Sequence, residues 1–368
     1  MRRRRRCRKA ILCSFLGAMA LIPVLSAWQG ANENNKGAAA FQAPIIETNG
    51  DPWEGLETPV LWNIPSDGFG WQEESALLTQ NTIQPSDNPG EKPYPTDWKL
   101  SEETAVKQTA YGTYSGTRFF SLTTAGQVQN KTSHLNQELL VESKMAPAFT
   151  IENTDVPQVL IMHTHTTESF EPYVRSSFDP TFNYRTTDPA YNMVSVGNAI
   201  TEQLEAAGIG VVHDTTIHDY PSYNGSYDRS AETVRKNLEQ YPSIKVVLDI
   251  HRDAIQDGNT LIQPVVEIDG KEAAQVMIIS GCDDGTMNMP NYLQNFHFAC
   301  RLQGTMENMY PGLTRPILFD YRHYNQDLTT GSLLIEVGTH GNTLEQAQYA
   351  GELIGKSLAQ TLLKLQKE

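Results

Sequence analysis

The sequence predicts an α/β domain over residues 156–368, with a mostly parallel sheet flanked by helices. Three observations predict it. Short apolar runs alternate with segments of helical periodicity. Those runs are continuously apolar, as in strands buried on both faces. Several of them end in histidine or acidic residues, and the carboxyl ends of such strands are where sites form.

Val159-Leu160-Ile161-Met162 is the first buried strand. Asp188-Pro189 predicts a helix start, with Asp as cap and Pro in the first turn. Val196, Ala199, Ile200 and Leu204 mark its apolar face, and Gly208 stops it. Residues 209–213 form the next strand, and a second helix runs from about 230 to 240 before Pro242. Residues 245–250 are a third strand, again continuous. Runs at 265–268 and 275–279 flank Asp269-Gly270, a hairpin signal. Residues 291–309 predict a long helix, 317–319 and 332–337 two more strands. Residues 344–365 predict a closing helix with Ala347, Ala350, Leu353, Ile354 and Leu358 on one side.

The chain ahead of this domain has a different character. Residues 1–9 hold seven Arg and Lys, and residues 10–28 are an almost uncharged apolar run. That run approaches the ~20 residues that cross a bilayer as a helix. The basic head then lies in the cytoplasm and the rest outside. A cleaved signal peptide, with a small-residue site near Leu25-Ser26-Ala27, is the other reading, and both export the chain. Residues 29–100, rich in Asn, Pro, Gly, Glu and Ser, are expected to form a flexible stalk. Residues 101–155 read as a small preface segment, with strand-like content at 117–123 and a short helix at 135–141.

Composition bounds the function. Hydrophobic residues make up 39% of the 368, enough for a substantial core. The formal net charge is −15 despite the basic head, so the body does not attract nucleic acid through its overall field. Beyond Cys7 and Cys13 only Cys282 and Cys300 remain, either as a disulfide or as two separate thiols.

Three predicted strand ends carry candidate chemistry. The first presents His163, His165 and Glu168; the third presents His251, Arg252 and Asp253; the last presents Glu336. Two imidazoles and a carboxylate are the ligand set of a catalytic zinc that keeps a position open for water. Zinc draws the pKa of that water towards ~7, and a separate carboxylate must move its proton. The assignment is His165, Glu168 and His251 on the metal and Glu336 as base and acid. Arg252 would steady developing negative charge or grip a substrate carboxylate. An acid within Leu-Leu-Ile-Glu-Val is costly to bury without a partner or a task. The plainer readings are that His163 is a hydrogen-bonded structural residue, that Glu168 caps backbone amides, and that Asp249 holds a histidine or loop. Of the other histidines, His340 is expected nearest the site.

Four ordered motifs then point to a family. His163-Thr-His-Thr-Thr-Glu-Ser-Phe, Asp249-Ile-His-Arg-Asp-Ala, Arg322-His-Tyr-Asn-Gln-Asp-Leu, and Leu334-Ile-Glu-Val-Gly with Asn342-Thr-Leu-Glu-Gln-Ala resemble stage II sporulation protein P. The resemblance implies a peptidoglycan hydrolase of endospore formers, acting at the septum and in forespore engulfment, with amidase and endopeptidase activities. It also implies a membrane-anchored enzyme whose partners are sporulation proteins D and M. Asn325 of the third motif and Asp253 of the second are the candidate substrate-binding residues. More distantly, the chain is similar to zinc N-acetylmuramoyl-L-alanine amidases, whose pattern His165, His251 and Glu336 match. It departs where those enzymes take a metal-binding glutamate from the start of the first long helix, since Asn192 stands there. Thr166-Thr167 also replace their glycine pair. The competing expectations are an inactive wall-binding scaffold, or a zinc hydrolase of another amide such as a carboxypeptidase.

Overall fold

The computed structural model describes residues 90–367. The expected anchor (1–28) and most of the expected stalk (29–89) lie outside the described residues. No helix among the described residues is long and apolar enough to cross a membrane.

In chain order the elements are β1 (Ala105–Thr109), β2 (Phe119–Ser121), β3 (Gln127–Asn130), α1 (Asn136–Glu142), β4 (Val159–Met162), α2 (Met193–Ala206), β5 (Val211–His213), α3 (Ser226–Gln240), β6 (Val246–Asp253), β7 (Gln256–Asp257), β8 (Thr260–Ile268), β9 (Lys271–Ala274), β10 (Val276–Gly281), α4 (Tyr292–Met309), β11 (Ile317–Asp320), β12 (Ser332–Thr339) and α5 (Leu344–Leu363). The strands form an eight-stranded sheet, ordered β2-β3-β11-β10-β12-β6-β4-β5, and a smaller sheet of β1, β8, β7 and β9.

The α/β class stands, but the sheets are mixed rather than mostly parallel. β12, β6, β4 and β5 run parallel, as do β3, β11 and β10, yet β10 is antiparallel to β12 and β2 to β3. In the smaller sheet β1 is parallel to β8 while β7 and β9 oppose it. The reason lies at Asp269-Gly270, whose positive φ angles of 51° and 77° make the tight turn. The hairpin partner of β8 is only Lys271–Ala274. At Gln275 the chain leaves that pairing, and β10 enters the main sheet against the direction of β12.

The apolar strands explain the layers. Val159 and Ile161 of β4 and Val246, Leu248 and Ile250 of β6 face one core, shared with α2, α4 and α5. Leu160, Met162 and Val247 face a second, smaller core closed by Val234 of α3. With apolar packing on both faces, the strands lose the alternation of a half-exposed sheet. α2 starts later than expected: Asn192 is its cap, accepting the Val194 N–H at 3.0 Å. Asp188 instead accepts the Ala190 N–H at 3.0 Å in a turn before the helix. Cys282 and Cys300 are buried and free.

Candidate active site

β4, β6 and β12 lie side by side and parallel, so their carboxyl ends share one edge of the sheet. In register, Met162 stands beside Asp249, and His251 beside Glu336. Side chains alternate along a strand, so Asp249 and His251 point to the α3 face together, and Glu336 joins them there. β12 then bulges between Glu336 and Thr339. Gly338 serves the bulge with φ +62°, and a Cβ there would come within 2.5 Å of Asn342 Oδ1. The glycine that ends the motif is thus required by both backbone angle and space.

His251 is buried between carboxylates. Its Nε2 lies 2.8 Å from Asp249 Oδ1, and its Nδ1 lies 3.6 Å from Glu168 Oε2. Burial alone would lower its pKa, but Asp249, Glu168 and Glu336 outweigh that and raise it to about 9. Asp249 also accepts the Thr164 N–H at 2.8 Å and the Thr164 hydroxyl at 2.7 Å, which ties the end of β4 to β6. Asp249, expected to hold a histidine or a loop, accepts its hydrogen bonds from Thr164 of the loop, and its charge lies beside His251.

His165 is buried beside His251, with ring centroids 5.1 Å apart. Its Nε2 lies 3.2 Å from the Tyr223 hydroxyl, and the two rings stack. Burial and the neighbouring His251, Arg185 and Arg252 hold its pKa well below the ordinary histidine value. His163 is turned away: its Nδ1 is 2.9 Å from Ile250 O and its Nε2 2.9 Å from His213 Nε2. His340 packs edge-on against the Tyr184 ring at 5.2 Å, and its backbone N–H donates to Asp253 O at 3.1 Å.

Glu168 is fully buried and accepts the Arg252 backbone N–H at 3.2 Å. Guanidinium groups of Arg185 and Arg252 stand 3.5 and 3.7 Å from its Oε1. Arg252 is committed to the same loop, with Nε donating to Ser169 O at 3.1 Å and Nη2 to Tyr184 O at 3.0 Å. Glu336 is half-buried as a residue, but its Oε2 is buried without a hydrogen-bond partner, and burial with the Asp253 and Glu168 charges pushes its pKa up to about 8. Asp253 accepts from buried Arg315 at 2.8 Å. Asn325 donates its amide to Tyr227 O at 2.9 Å and Ser230 Oγ at 3.1 Å.

The donor types suit a divalent ion: two imidazoles and a carboxylate, all buried. Two atoms that share one tetrahedral zinc stand about 3.4 Å apart, and the His251–Glu168 separation of 3.6 Å is close to that. His165, whose ring centroid is 5.1 Å from that of His251, turns its Nε2 to the Tyr223 hydroxyl. Among the described residues no group of three or more His, Cys, Asp or Glu side chains is placed so that it could hold a metal ion as it stands.

Sequence reasoning missed Arg185, Asp219 and Tyr223. Arg185 donates to Asp219 at 2.6 Å and lies 5.0 Å from the centre of the Tyr223 ring, bridging the Glu168 loop to the loop before α3. All three sit in aperiodic segments. The only local signal is the aromatic turn Tyr220-Pro-Ser-Tyr223.

Fold and site together define a mixed α/β protein whose histidines and carboxylates gather at the ends of three parallel strands. The chain belongs to the stage II sporulation protein P family, whose model matches residues 72–359. It is 33% identical over 207 residues to stage II sporulation protein P of Bacillus subtilis (strain 168), a match spanning 53% of this chain and 49% of that one. Among solved structures, N-acetylmuramoyl-L-alanine amidase from Clostridium difficile 630 is matched over 57% of this chain and 97% of that chain, at 14% identity and a TM-score of 0.34. The amidase AmiC2 of Nostoc punctiforme is matched over 56% and 96%, at 11% identity and a TM-score of 0.33.

Proposed function

We propose that this chain is a zinc-dependent peptidoglycan hydrolase, an N-acetylmuramoyl-L-alanine amidase with endopeptidase cleavage of cross-links as a second activity. The observation that carries the reading is the meeting of His165, Glu168, His251 and Glu336 at one sheet edge. Membership of the family supports a wall substrate and a role in septal thinning and engulfment. His165, Glu168 and His251 would hold the zinc. When bound, it would supply a polarised scissile carbonyl and an acidified water.

The chain's own residues supply the rest. The Asp249 charge stands 2.8 Å from His251 Nε2, while Nδ1 faces Glu168 at 3.6 Å. Glu336 has a buried carboxylate oxygen with no hydrogen-bond partner, and burial raises its pKa above the ordinary carboxylate value. At that oxygen it takes one proton from the attacking water as the new C–O bond forms. It then delivers the proton to the amide nitrogen as the C–N bond breaks. Arg252 keeps the Glu168 loop in place through Ser169 O and Tyr184 O, while Asp253, paired with Arg315, and Asn325, bonded to Tyr227 O, would be the substrate-binding residues. The apolar run of residues 10–28 would hold the enzyme at the membrane, with sporulation proteins D and M as partners, and both rest on the family and the sequence.

The test incubates the full-length chain with purified peptidoglycan, with and without a chelator, and identifies soluble products by mass. Stem peptides freed from glycan, lost with chelator and restored by zinc, are the expected result. Wall that stays intact in every metal condition, with the partner proteins added, would overturn the reading.

A further inference from the structure

The residues between β4 and α2, 163–192, form no helix or long strand, yet much of this loop is buried. Aperiodic loops of this length inside a domain are uncommon and need outside partners for their backbone groups. Here a second segment supplies them. Lys92 donates its N–H to Thr187 Oγ1 at 2.8 Å, and its carbonyl accepts the Thr187 N–H at 2.8 Å and the Thr186 hydroxyl at 2.7 Å. The Tyr94 hydroxyl donates to Phe170 O at 2.7 Å, and its ring stacks on Tyr191 at 4.5 Å. Trp98 packs edge-on against Phe182 at 4.8 Å and lies under the Arg175 guanidinium at 4.3 Å. Lys99 N–H closes the run on Asp179 Oδ2 at 2.8 Å.

The contacts lead inward. Arg175 pairs with Glu171, which accepts from the Tyr184 hydroxyl. Tyr184 O takes the Ser169 N–H at 2.9 Å and Arg252 Nη2 at 3.0 Å. Phe170, held by Tyr94, is two positions from Glu168. Pro93 and Pro95 restrict the backbone on either side of Tyr94 to extended angles, which lowers the entropy lost on docking.

We infer that residues 92–99 are a strap, and that Tyr94 and Trp98 are positioning residues that hold Glu168 at the site from outside the strand framework. The importance of Glu168 rests on the proposed metal function; the mechanical coupling of strap to loop does not. The test uses the full-length chain with Trp98→Ala, Trp98→Phe and Tyr94→Phe. Hydrogen exchange is followed in peptides covering residues 166–173, and zinc affinity by competition with a chromogenic chelator.

Trp98→Ala is expected to speed exchange across 166–173 by about tenfold while α4 stays protected. It should weaken zinc binding by about tenfold, the low end for outer contacts that support ligands. Trp98→Phe, which keeps an aromatic face for Arg175, should restore both. If Trp98→Ala unfolds the whole chain, Tyr94→Phe decides, since it removes one hydroxyl and should still raise exchange in the same peptides. Unchanged exchange across 166–173 in the folded variants would overturn the strap. A wild-type chain that binds no zinc would overturn the metal reading instead, with the exchange data still deciding the strap.

Discussion

Asp249 serves two neighbours at once, with its Oδ1 standing 2.8 Å from His251 Nε2 and also accepting the Thr164 backbone N–H. Asp249→Asn keeps the shape but removes the charge that sets His251. Zinc affinity is predicted to fall between about 10- and 100-fold, read by chelator competition; an unchanged affinity would contradict the role. That His165, His251 and Glu336 lie near one another was legible because each follows or interrupts an apolar strand, where a polar side chain needs a reason. Glu168 was reachable only as the nearest carboxylate, because its partners Arg185 and Arg252 come from different segments. Arg252, expected to steady developing charge or to grip a substrate carboxylate, also gives its Nε and Nη2 to Ser169 O and Tyr184 O. Tyr223 left only the aromatic turn at 220–223 as a signal, since it is the folding of the loop before α3 that brings it to His165.

At the scale of elements, α2 depends on one small residue. A Cβ at Gly197 would collide with the Nε2 atoms of His213 and His163, the pair that links the ends of β5 and β4. Gly197→Ala is therefore predicted to destabilise the fold by about 1–3 kcal/mol, the usual cost of overpacking, seen as a lower midpoint in denaturant. The histidine pair also predicts a pH dependence. Burial lowers His163 to about 3 and, against the pull of Asp214, His213 to about 4. The unfolded chain binds protons here that the folded chain refuses. The pair's stabilisation is complete above the unfolded value of ~6.5 and is lost as pH falls towards 4. Thermal unfolding across that range should show a shallower loss in His213→Gln than in wild type; parallel curves would contradict it. The strands β4, β6, β11 and β12 were legible because continuous apolar runs have few other uses. The start of α2 was not, because Asp188 satisfies a local turn that resembles a cap in sequence.

For the whole molecule, apolar alternation with helices foretold the α/β class but not the sheet directions. Strand direction is set by connections, and the switch at Gln275 leaves no periodic signal; nor does the strap, whose Pro-rich composition suits a stalk equally well. The assembled site nevertheless makes a global prediction, because a metal that binds only the folded chain stabilises all of it. At free zinc 100 times above the dissociation constant the gain is about 2.7 kcal/mol, so the unfolding temperature of wild type should rise with zinc and that of His251→Ala should not. The most direct test of the central claim measures bound zinc and the rate of wall cleavage on one sample of full-length Glu336→Gln. The account predicts zinc retained at the wild-type level with cleavage abolished. Cleavage near the wild-type rate would contradict it.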